Sequence, residues 1–289
     1  MSPDPTATRE LVQIVPGRPT QDGAGVKLDR YLTPRWYASA DPFLLLDRFH
    51  SERGEDYAGG FPPHPHRGFE TVTYLLAGRM RHGDDQGNRG DLGPGSVQWM
   101  TAARGIVHEE TPQQQDGLLW GYQLWVNLPA SEKMGPPAYQ DIDAARIPEV
   151  QLPGGTRVRV IAGELDGRRG PVRPRPTEPL YLDVQLAPGG RFSHRVPQGH
   201  TVLLVQVEGE SLVGAKAAAL RAHQVALLGP AGDVVVGAGP AQARFLVIAG
   251  RPLREPVAHH GPFVMNTDAE IAAAIDDYQA GRLSRPERL

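Results

Sequence analysis

The chain has 289 residues, including 34 Gly, 28 Pro, ten His and no Cys. Without Cys it forms no disulfide scaffold, thiolate zinc site, iron–sulfur cluster or Cys nucleophile, so a bound metal needs imidazole and carboxylate ligands. Thirty basic and 33 acidic residues leave a formal net charge of −3, which excludes the strongly basic footprint of a direct nucleic-acid binder.

The first residues, Met-Ser-Pro-Asp-Pro, contain neither a basic region nor an apolar run. No stretch of the chain approaches the roughly 20 apolar residues of a membrane span. We therefore expect a cytoplasmic protein without a membrane partner, of one or two domains.

From about residue 28 to about residue 250, short apolar runs alternate with Gly, Pro and Asp turns. Alternation at a period of two, with frequent turn signals, is typical of antiparallel strands in a sandwich or barrel. The predicted fold class is therefore all-β. The clearest strands are predicted at residues 71–76, 158–161, 180–186, 201–207, 233–236 and 244–248.

The densest chemical signal is the segment Pro-His-Pro-His-Arg-Gly-Phe-Glu at residues 63–70, which runs into the predicted strand at 71–76. Residues i and i+2 of a strand point to the same face, with Cα atoms about 6.6 Å apart. The imidazoles of His64 and His66 can therefore converge on one metal ion. One such pair is weak evidence, because ten His residues produce it easily by chance.

A second pair with the same spacing, His108 and Glu110, lies about forty residues further on, beyond a Gly-Pro-Gly turn. A strand returning across the same barrel would bring it to the first pair, and three imidazoles with one carboxylate suit a metal that handles oxygen. Glu109 points to the opposite face of such a strand, and Glu70 reaches the ion only through a bend or bulge. Glu110 is therefore the favoured carboxylate, and Glu70 is the reserve.

The remaining His residues give weaker signals. His50 and His82 lie in polar, loop-like sequence and are predicted to be solvated. The adjacent His259 and His260 are predicted to be structural, because neighbours on an extended segment face opposite ways.

A polar stretch with several prolines, from residue 127 to about residue 148, is predicted to link two domains. The N-terminal domain, residues 1–140, is predicted to bind the metal. The C-terminal domain, residues 141–289, is predicted to lack it and to end in a helix.

The two halves share a weak internal sequence repeat, which indicates a duplicated β-barrel. A hairpin turn precedes a Gly-Pro turn in each half, at 77–78 and 93–95 and again at 208–210 and 229–232. Carrying the first-half spacing into the second half predicts that the ligand positions there hold Arg195, Pro197, Arg244 and Leu246. The second barrel would then have lost its metal.

A helix is predicted near the C-terminus, where Thr267 and Glu270 form a capping box and Gly281 supplies a left-handed stop. Asp276 and Asp277 are predicted to lie on its solvated face. Its apolar stripe has helical spacing and consists of Ile271, Ala274, Ile275 and Tyr278.

Five ordered blocks of sequence carry a family resemblance; they lie at residues 41–47, 62–74, 98–102, 104–108 and 255–267. They resemble the pirins, of the cupin superfamily. The resemblance spans about residues 25 to 285 and implies two antiparallel cupin β-barrels, a bicupin, with iron in the N-terminal barrel and none in the C-terminal one.

The ligands of the pirin family fall on His64, His66, His108 and Glu110 of this sequence. The resemblance therefore demotes Glu70. It also shows a departure at Ala103, where the family usually has Gly, and this residue would shift the loop before His108 if the position needs a positive φ.

Pirins similar to this chain are described as quercetinases, dioxygenases that open the central ring of the flavonol quercetin with O₂ and release carbon monoxide. The resemblance implies a flavonol-like molecule and O₂ as substrates and one divalent metal, Fe(II), as cofactor. Four protein ligands leave two positions on a six-coordinate metal, and Glu110 beside them is the expected catalytic base. An apolar pocket lined by Phe61, Trp99 or Met100 is expected at the metal.

Two other functions fit the same residues. Animal pirins are described as iron-dependent, redox-sensitive partners of transcription factors, and some bacterial pirins as regulators of metabolic enzymes, so the alternative is a sensor that binds a protein partner through an exposed patch. The third function is a structural metal. Four ligands can close a tetrahedral zinc site, although a carboxylate and two His on one strand favour an open octahedral one.

Overall fold

The computed structural model describes residues 7–285, and the first five residues, on which the expectation about targeting rests, lie outside this range. The chain forms two compact units. The first barrel comprises residues 18–38, 43–144 and 253–285, and the second barrel comprises residues 7–17, 39–42 and 145–252.

Most of the described elements are strands. In chain order, the first thirteen are β1 (Leu11–Pro16), β2 (Arg18–Asp22), β3 (Val26–Leu32), β4 (Phe43–Ser51), β5 (Phe61–His66), β6 (Phe69–Ala77), β7 (Met80–Asp84), β8 (Arg89–Leu92), β9 (Val97–Thr101), β10 (Ile106–Pro112), β11 (Leu119–Asn127), β12 (Ala138–Ile142) and β13 (Glu149–Leu152). The next are β14 (Thr156–Ala162), β15 (Glu164–Leu165), β16 (Arg168–Arg169), β17 (Leu180–Leu186), β18 (Arg191–Arg195), β19 (Thr201–Glu208), β20 (Glu210–Val213), β21 (Ala218–Arg221), β22 (Gln224–Leu228), β23 (Asp233–Ala238), β24 (Ala243–Gly250), β25 (Ala258–His260) and β26 (Phe263–Met265).

Helical structure is sparse among residues 7–285. The α-helices there are α1 (Tyr37–Ala40) and α2 (Asp268–Gln279), and 3₁₀ turns lie at Pro34–Trp36, Gly54–Asp56, Ala130–Glu132, Ala144–Arg146 and Pro153–Gly155. None of the described helices is long and apolar enough to cross a membrane.

Each barrel combines a seven-stranded sheet with a four-stranded sheet. The first barrel has the orders β12-β9-β6-β11-β4-β3-β2 and β5-β10-β7-β8. The second has the orders β1-β22-β19-β24-β17-β14-β13 and β18-β23-β20-β21. The pairs within these sheets are antiparallel, so one topology occurs twice and the predicted all-β fold of two cupin barrels is confirmed.

The six predicted strands lie within β6, β14, β17, β19, β23 and β24. Strand β17 shows why the alternating pattern predicts strands correctly. Its alternate residues all enter the apolar core of the second barrel: Leu180, Leu182, Val184 and Leu186. Packing one face of a strand in this core fixes its register, since a slip of one residue would turn every one of these side chains away from the core.

The units differ from the predicted boundaries, residues 1–140 and 141–289, at both termini. Strand β1 joins the second barrel by pairing with β22, whereas residues 253–285 belong to the first barrel. The predicted linker contains β12, which pairs with β9 at the edge of the first barrel's sheet. The alternation of side chains predicts that a strand exists, but it does not say which open sheet edge the strand joins.

The C-terminal helix α2 has the predicted capping box, with Thr267 accepting from the Glu270 amide. Ile271 and Ala274 of the predicted stripe are buried and Ile275 is partly buried, but the prediction was wrong for Tyr278, which is exposed. The prediction for Asp277 was wrong, because its carboxylate accepts a 2.9 Å hydrogen bond from the buried guanidinium of Arg67. That contact ties α2 to the residue immediately after His66.

Candidate metal centre

Three imidazoles meet inside the first barrel. His64 and His66 lie on β5, where the flanking prolines restrict the backbone to extended conformations. Strand β10 runs antiparallel to β5 and puts His108 directly opposite His64. The sheet therefore brings together three of the four predicted ligands.

The three rings are close enough to share one ion. Their centroids are separated by 4.7 Å between His64 and His66, 4.4 Å between His64 and His108, and 5.0 Å between His66 and His108. One ring nitrogen of each residue lies within 4.8 Å of the other two. Modest movement of the rings would bring all three to metal–nitrogen distances of about 2.0–2.2 Å.

The free nitrogens of this cluster fit a metal ion. The Pro62 carbonyl, which can only accept, lies 2.8 Å from His64 Nδ1, so Nδ1 carries a proton and Nε2 is the atom left to bind a metal. Within the described residues, His66 Nδ1 and both ring nitrogens of His108 are buried without a hydrogen-bond partner. Burial lowers the pKa of His66 and of His108 well below the ordinary value, which keeps both rings neutral and available as ligands.

Glu110 lies next to this cluster but is not part of the group of atoms within 4.8 Å. The pairing of β10 with β5 shifts register between His108 and Glu110. The carboxylate is buried, and the Thr73 hydroxyl donates to its Oε1 at 3.2 Å. Burial raises the pKa of Glu110, although the neighbouring His64 acts in the opposite direction. Its role as the fourth ligand stays a prediction.

The cluster opens into a cavity of about 520 Å³, a volume typical of small-molecule sites. His64, His66 and Glu110 lie on its wall. Most of the remaining lining is apolar, and the Trp125 ring contacts the His66 ring edge-on with centroids 5.3 Å apart. An aromatic ligand would find both a metal-binding end and an apolar wall in this cavity.

The sequence matches known proteins over both barrels. The family model named Pirin matches residues 25–126, and the Pirin C-terminal cupin domain matches residues 181–284. The chain belongs to the pirin family. Human pirin is 43% identical over 94% of this chain and 93% of its own.

Other pirin relatives carry enzyme names. A Pseudomonas aeruginosa protein named "Putative quercetin 2,3-dioxygenase" is 48% identical over 96% of this chain and 99% of its own. A solved quercetin 2,3-dioxygenase from Acinetobacter baumannii is 36% identical, with a TM-score of 0.88 over 96% of this chain and 99% of that one.

Strand register identifies the second-barrel counterparts of the predicted pirin ligands. Two residues after the hairpin glycine of each barrel, Met80 lies opposite Pro112 and Ser211 lies opposite Ala238. Counting back from these pairs, and then across to β5 and β18, assigns the remaining positions. The counterparts of His64, His66, His108 and Glu110 are His194, Val196, Val234 and Val236.

The predicted counterparts Arg195, Pro197, Arg244 and Leu246 were therefore wrong. They assumed equal spacing along the chain, but strand β24, which carries two of them, takes the place of β11 and not of β10. The three valines at the actual positions offer no atom that could bind a metal.

Other predictions around this pirin site were also wrong. His82 is buried on β7, and its ring stacks on Tyr139 with centroids 5.3 Å apart. Of the three residues predicted as alternatives for the pocket wall, Phe61 lines the cavity as predicted, whereas Trp99 and Met100 are buried on β9 and do not. The apolar character of a residue does not by itself reveal whether its side chain faces the cavity or the packed core.

Neither Glu109 nor the reserve carboxylate Glu70 belongs to the group of close ligand atoms. Glu109 is exposed on the opposite face of β10 from Glu110. Glu70 is buried on β6, where it accepts a 2.6 Å hydrogen bond from Thr101.

The C-terminal segment supplies cavity residues that the sequence predictions missed, including His259, Gly261 and Pro262. His259 Nε2 lies 2.7 Å from the Gly261 carbonyl and must donate to it, so Nδ1 accepts from the Tyr37 hydroxyl at 2.8 Å. The sequence signal that could have found these residues is the family-like block at 255–267. It is far in sequence from every predicted ligand, so it indicates a separate segment at the site.

Proposed function

We propose that this chain is a metal-dependent dioxygenase of the quercetin 2,3-dioxygenase type, which opens the central ring of a flavonol with O₂ and releases carbon monoxide. The observation that carries the proposal is a cluster of three imidazoles at the wall of a largely apolar cavity of ligand size. Relatives named as quercetin 2,3-dioxygenases support it.

The proposed ligands are His64, His66, His108 and Glu110. When bound, a divalent metal, for which we propose Fe(II), supplies Lewis-acid polarisation of the flavonol hydroxyl and a template for substrate and O₂. Glu110 accepts the proton of that hydroxyl, since burial raises its pKa toward the working range of a general base. Thr73, hydrogen-bonded to Oε1, holds the carboxylate in position.

The apolar wall orients the flat substrate and excludes water from it. Trp125 contacts His66 on one side and His259 on the other, with ring centroids 5.3 and 6.4 Å away. Phe61 lies beside His64 at 6.4 Å between centroids. Aromatic rings at these places favour an aromatic ligand lying next to the imidazole cluster.

The test is oxygen consumption and carbon monoxide release by Fe(II)-loaded protein supplied with quercetin. We expect one O₂ consumed and one carbon monoxide released per quercetin. Glu110→Gln should lower kcat by roughly 100-fold or more, the scale of a lost general base. The matched control, Glu109→Gln on the exposed face, should stay within about twofold of the unaltered protein. Metal-loaded protein that consumes no O₂ with quercetin would overturn the proposal.

The sensor alternative expects an exposed apolar patch for a protein partner. Among residues 7–285, the large exposed apolar side chains are Val12 on β1, Met134 in a turn and Tyr278 on α2, and three such separate positions give a patch no support. A protein partner stays a prediction, and the cavity at the imidazoles favours the enzyme.

A further inference from the structure

A row of polar side chains crosses the wall of the first barrel's cavity. Strand pairing puts Thr73 on β6 opposite Gln123 on β11, Gln123 opposite Asp47 on β4, and Asp47 opposite Arg30 on β3. Directly opposed residues of antiparallel strands point to the same face. Gln123, Asp47 and Arg30 all line the cavity.

Apolar side chains flank this polar row. On one side, Trp125 lies opposite Leu45, and both line the cavity. On the other side, the cavity is lined by Phe49, which is two residues beyond Asp47 on the same strand. A ligand lying along the row therefore meets hydrogen-bonding groups at its edge and apolar surface on its body.

Asp47 is the buried anion of the row. Arg30 donates to it from Nε, to Oδ1 at 2.9 Å and to Oδ2 at 3.3 Å, and from Nη2 to Oδ2 at 2.7 Å. Arg30 also reaches Asp22 at the exposed end of the row, at 2.7 Å. Oδ1 of Asp47 accepts one of the bonds from Arg30 and keeps a further lone pair, so it can accept one more hydrogen bond. Burial raises the pKa of Asp47 to about 6, which leaves it ionised at neutral pH.

Asp47 lies well away from the end of the row that meets the imidazole cluster. The cluster end is marked by Thr73, which is hydrogen-bonded to Glu110. Adjacent strands are about 4.8 Å apart, so Asp47, two strands from Thr73, lies roughly 10 Å across the sheet from it. This span matches a fused aromatic ligand with one polar end at the metal and a second polar end on a pendant ring.

We propose that Asp47, clamped by Arg30, accepts a hydrogen bond from a phenolic hydroxyl on the ligand ring that points away from the imidazoles. The cavity thereby selects polyphenols that are hydroxylated at this far end over those that are not. The inference rests on the proposed function, because it names the substrate class of the same site.

The experiment titrates metal-loaded protein without oxygen with three flavonols that differ only in the pendant ring: galangin with no hydroxyl there, kaempferol with one and quercetin with two. Quenching of Trp fluorescence measures binding, since Trp125 lines the cavity. Hydrogen bonds to charged groups predict that quercetin binds about tenfold or more tightly than galangin. Asp47→Asn should reduce this ratio to less than about threefold while leaving galangin binding within about twofold.

The matched control is Asp29→Asn, the same substitution on β3, at a carboxylate that pairs with Arg48 and does not line the cavity. It should leave the quercetin-to-galangin ratio unchanged. If Asp47→Asn fails to fold, the double variant Arg30→Gln/Asp47→Asn replaces the ion pair with an amide pair and is expected to lose the ratio in the same way.

Two results would overturn this inference alone: equal binding of the three flavonols by the unaltered protein, or an unchanged ratio in folded Asp47 variants. If the metal-loaded protein binds none of the flavonols, the proposed function fails and the inference fails with it. Failure of the inference and failure of the proposed function therefore give different results.

Discussion

Both barrels use the same order of strands, yet their interiors differ. In the first, inward-facing positions on β5 and β10 carry imidazoles and a carboxylate beside a cavity. In the second, three of the four counterpart positions are valine, and they belong to one large apolar cluster with Phe192 and Phe245. One topology therefore supports a cavity or a packed core, and a few inward-facing residues make the difference.

A buried cation also holds a different end of the chain to each barrel. In the second, the buried Arg9 donates to the carbonyl groups of Val196, Pro197, His200, Gly229 and Gly232. In the first, buried Lys133 donates to the Gly68 carbonyl and Asn127 Oδ1, both at 2.6 Å, and to the Val264 carbonyl at 3.0 Å. Each cation ties a terminal or connecting segment to its own barrel.

The largest effect is expected for His66→Val. This substitution puts into the first barrel the residue type that the second barrel has at the counterpart position. We expect metal affinity to fall by more than about 100-fold, because loss of even an outer partner of a ligand costs 10- to 100-fold. Valine already occupies the counterpart position, so cooperative unfolding should persist. Metal analysis and thermal unfolding measure the two effects, with His194→Val in the second barrel as the control. Loss of the cooperative fold together with the metal would instead indicate a structural metal.

The next largest effect is expected for Arg9→Met in the second barrel. It leaves several buried carbonyl groups unpaired and should cost roughly 3 kcal/mol or more of unfolding free energy. All four Trp residues lie in the first barrel, so circular dichroism follows both barrels while Trp fluorescence follows the first alone. The circular dichroism transition should move to lower urea, and metal affinity should not change. A cost below about 1 kcal/mol would contradict the assigned role of Arg9.

Lys133 predicts a pH dependence confined to the first barrel. Burial lowers its pKa from 10.5 to about 8, so between these values the unfolded chain holds a proton that the folded chain has released. Raising the pH through this window therefore favours the folded state, by on the order of 2 to 3 kcal/mol. Urea unfolding should show this gain in the unaltered protein and lose it in Lys133→Met. Lys216→Met, at an exposed lysine of the second barrel, should retain it.

The smallest expected effect concerns two alanines with left-handed backbones, Ala103 in the first barrel at φ 43° and Ala217 in the second at φ 50°. Replacing either by Gly relieves the steric cost of this conformation and should stabilise its barrel by about 0.5–1 kcal/mol. Thermal unfolding of both variants measures the gain. A loss of stability at Ala103 alone would show that its buried methyl group contributes more by packing than the backbone costs.

Much of the site was predictable because strand geometry is local. The spacing of His64 with His66 and of His108 with Glu110 follows from the period of two, and the preference for Glu110 over Glu109 follows from the same parity. His82 shows the limit. Its polar neighbours in sequence indicated solvent, but β7 is an inner strand between β8 and β10, and its His82 ring is buried and stacks on Tyr139.

The sequence by itself determined the strands, the capping box of α2, the three converging imidazoles and the absence of thiolate chemistry. These depend on side-chain type and on spacings of a few residues. Only the tertiary structure decided that β1 joins the second barrel, that His259 reaches the cavity, and that Thr73, Gln123, Asp47 and Arg30 form one row. Each of those depends on which strands pair and in what register, and pairing is set by the burial of whole sheet faces between segments far apart in the chain.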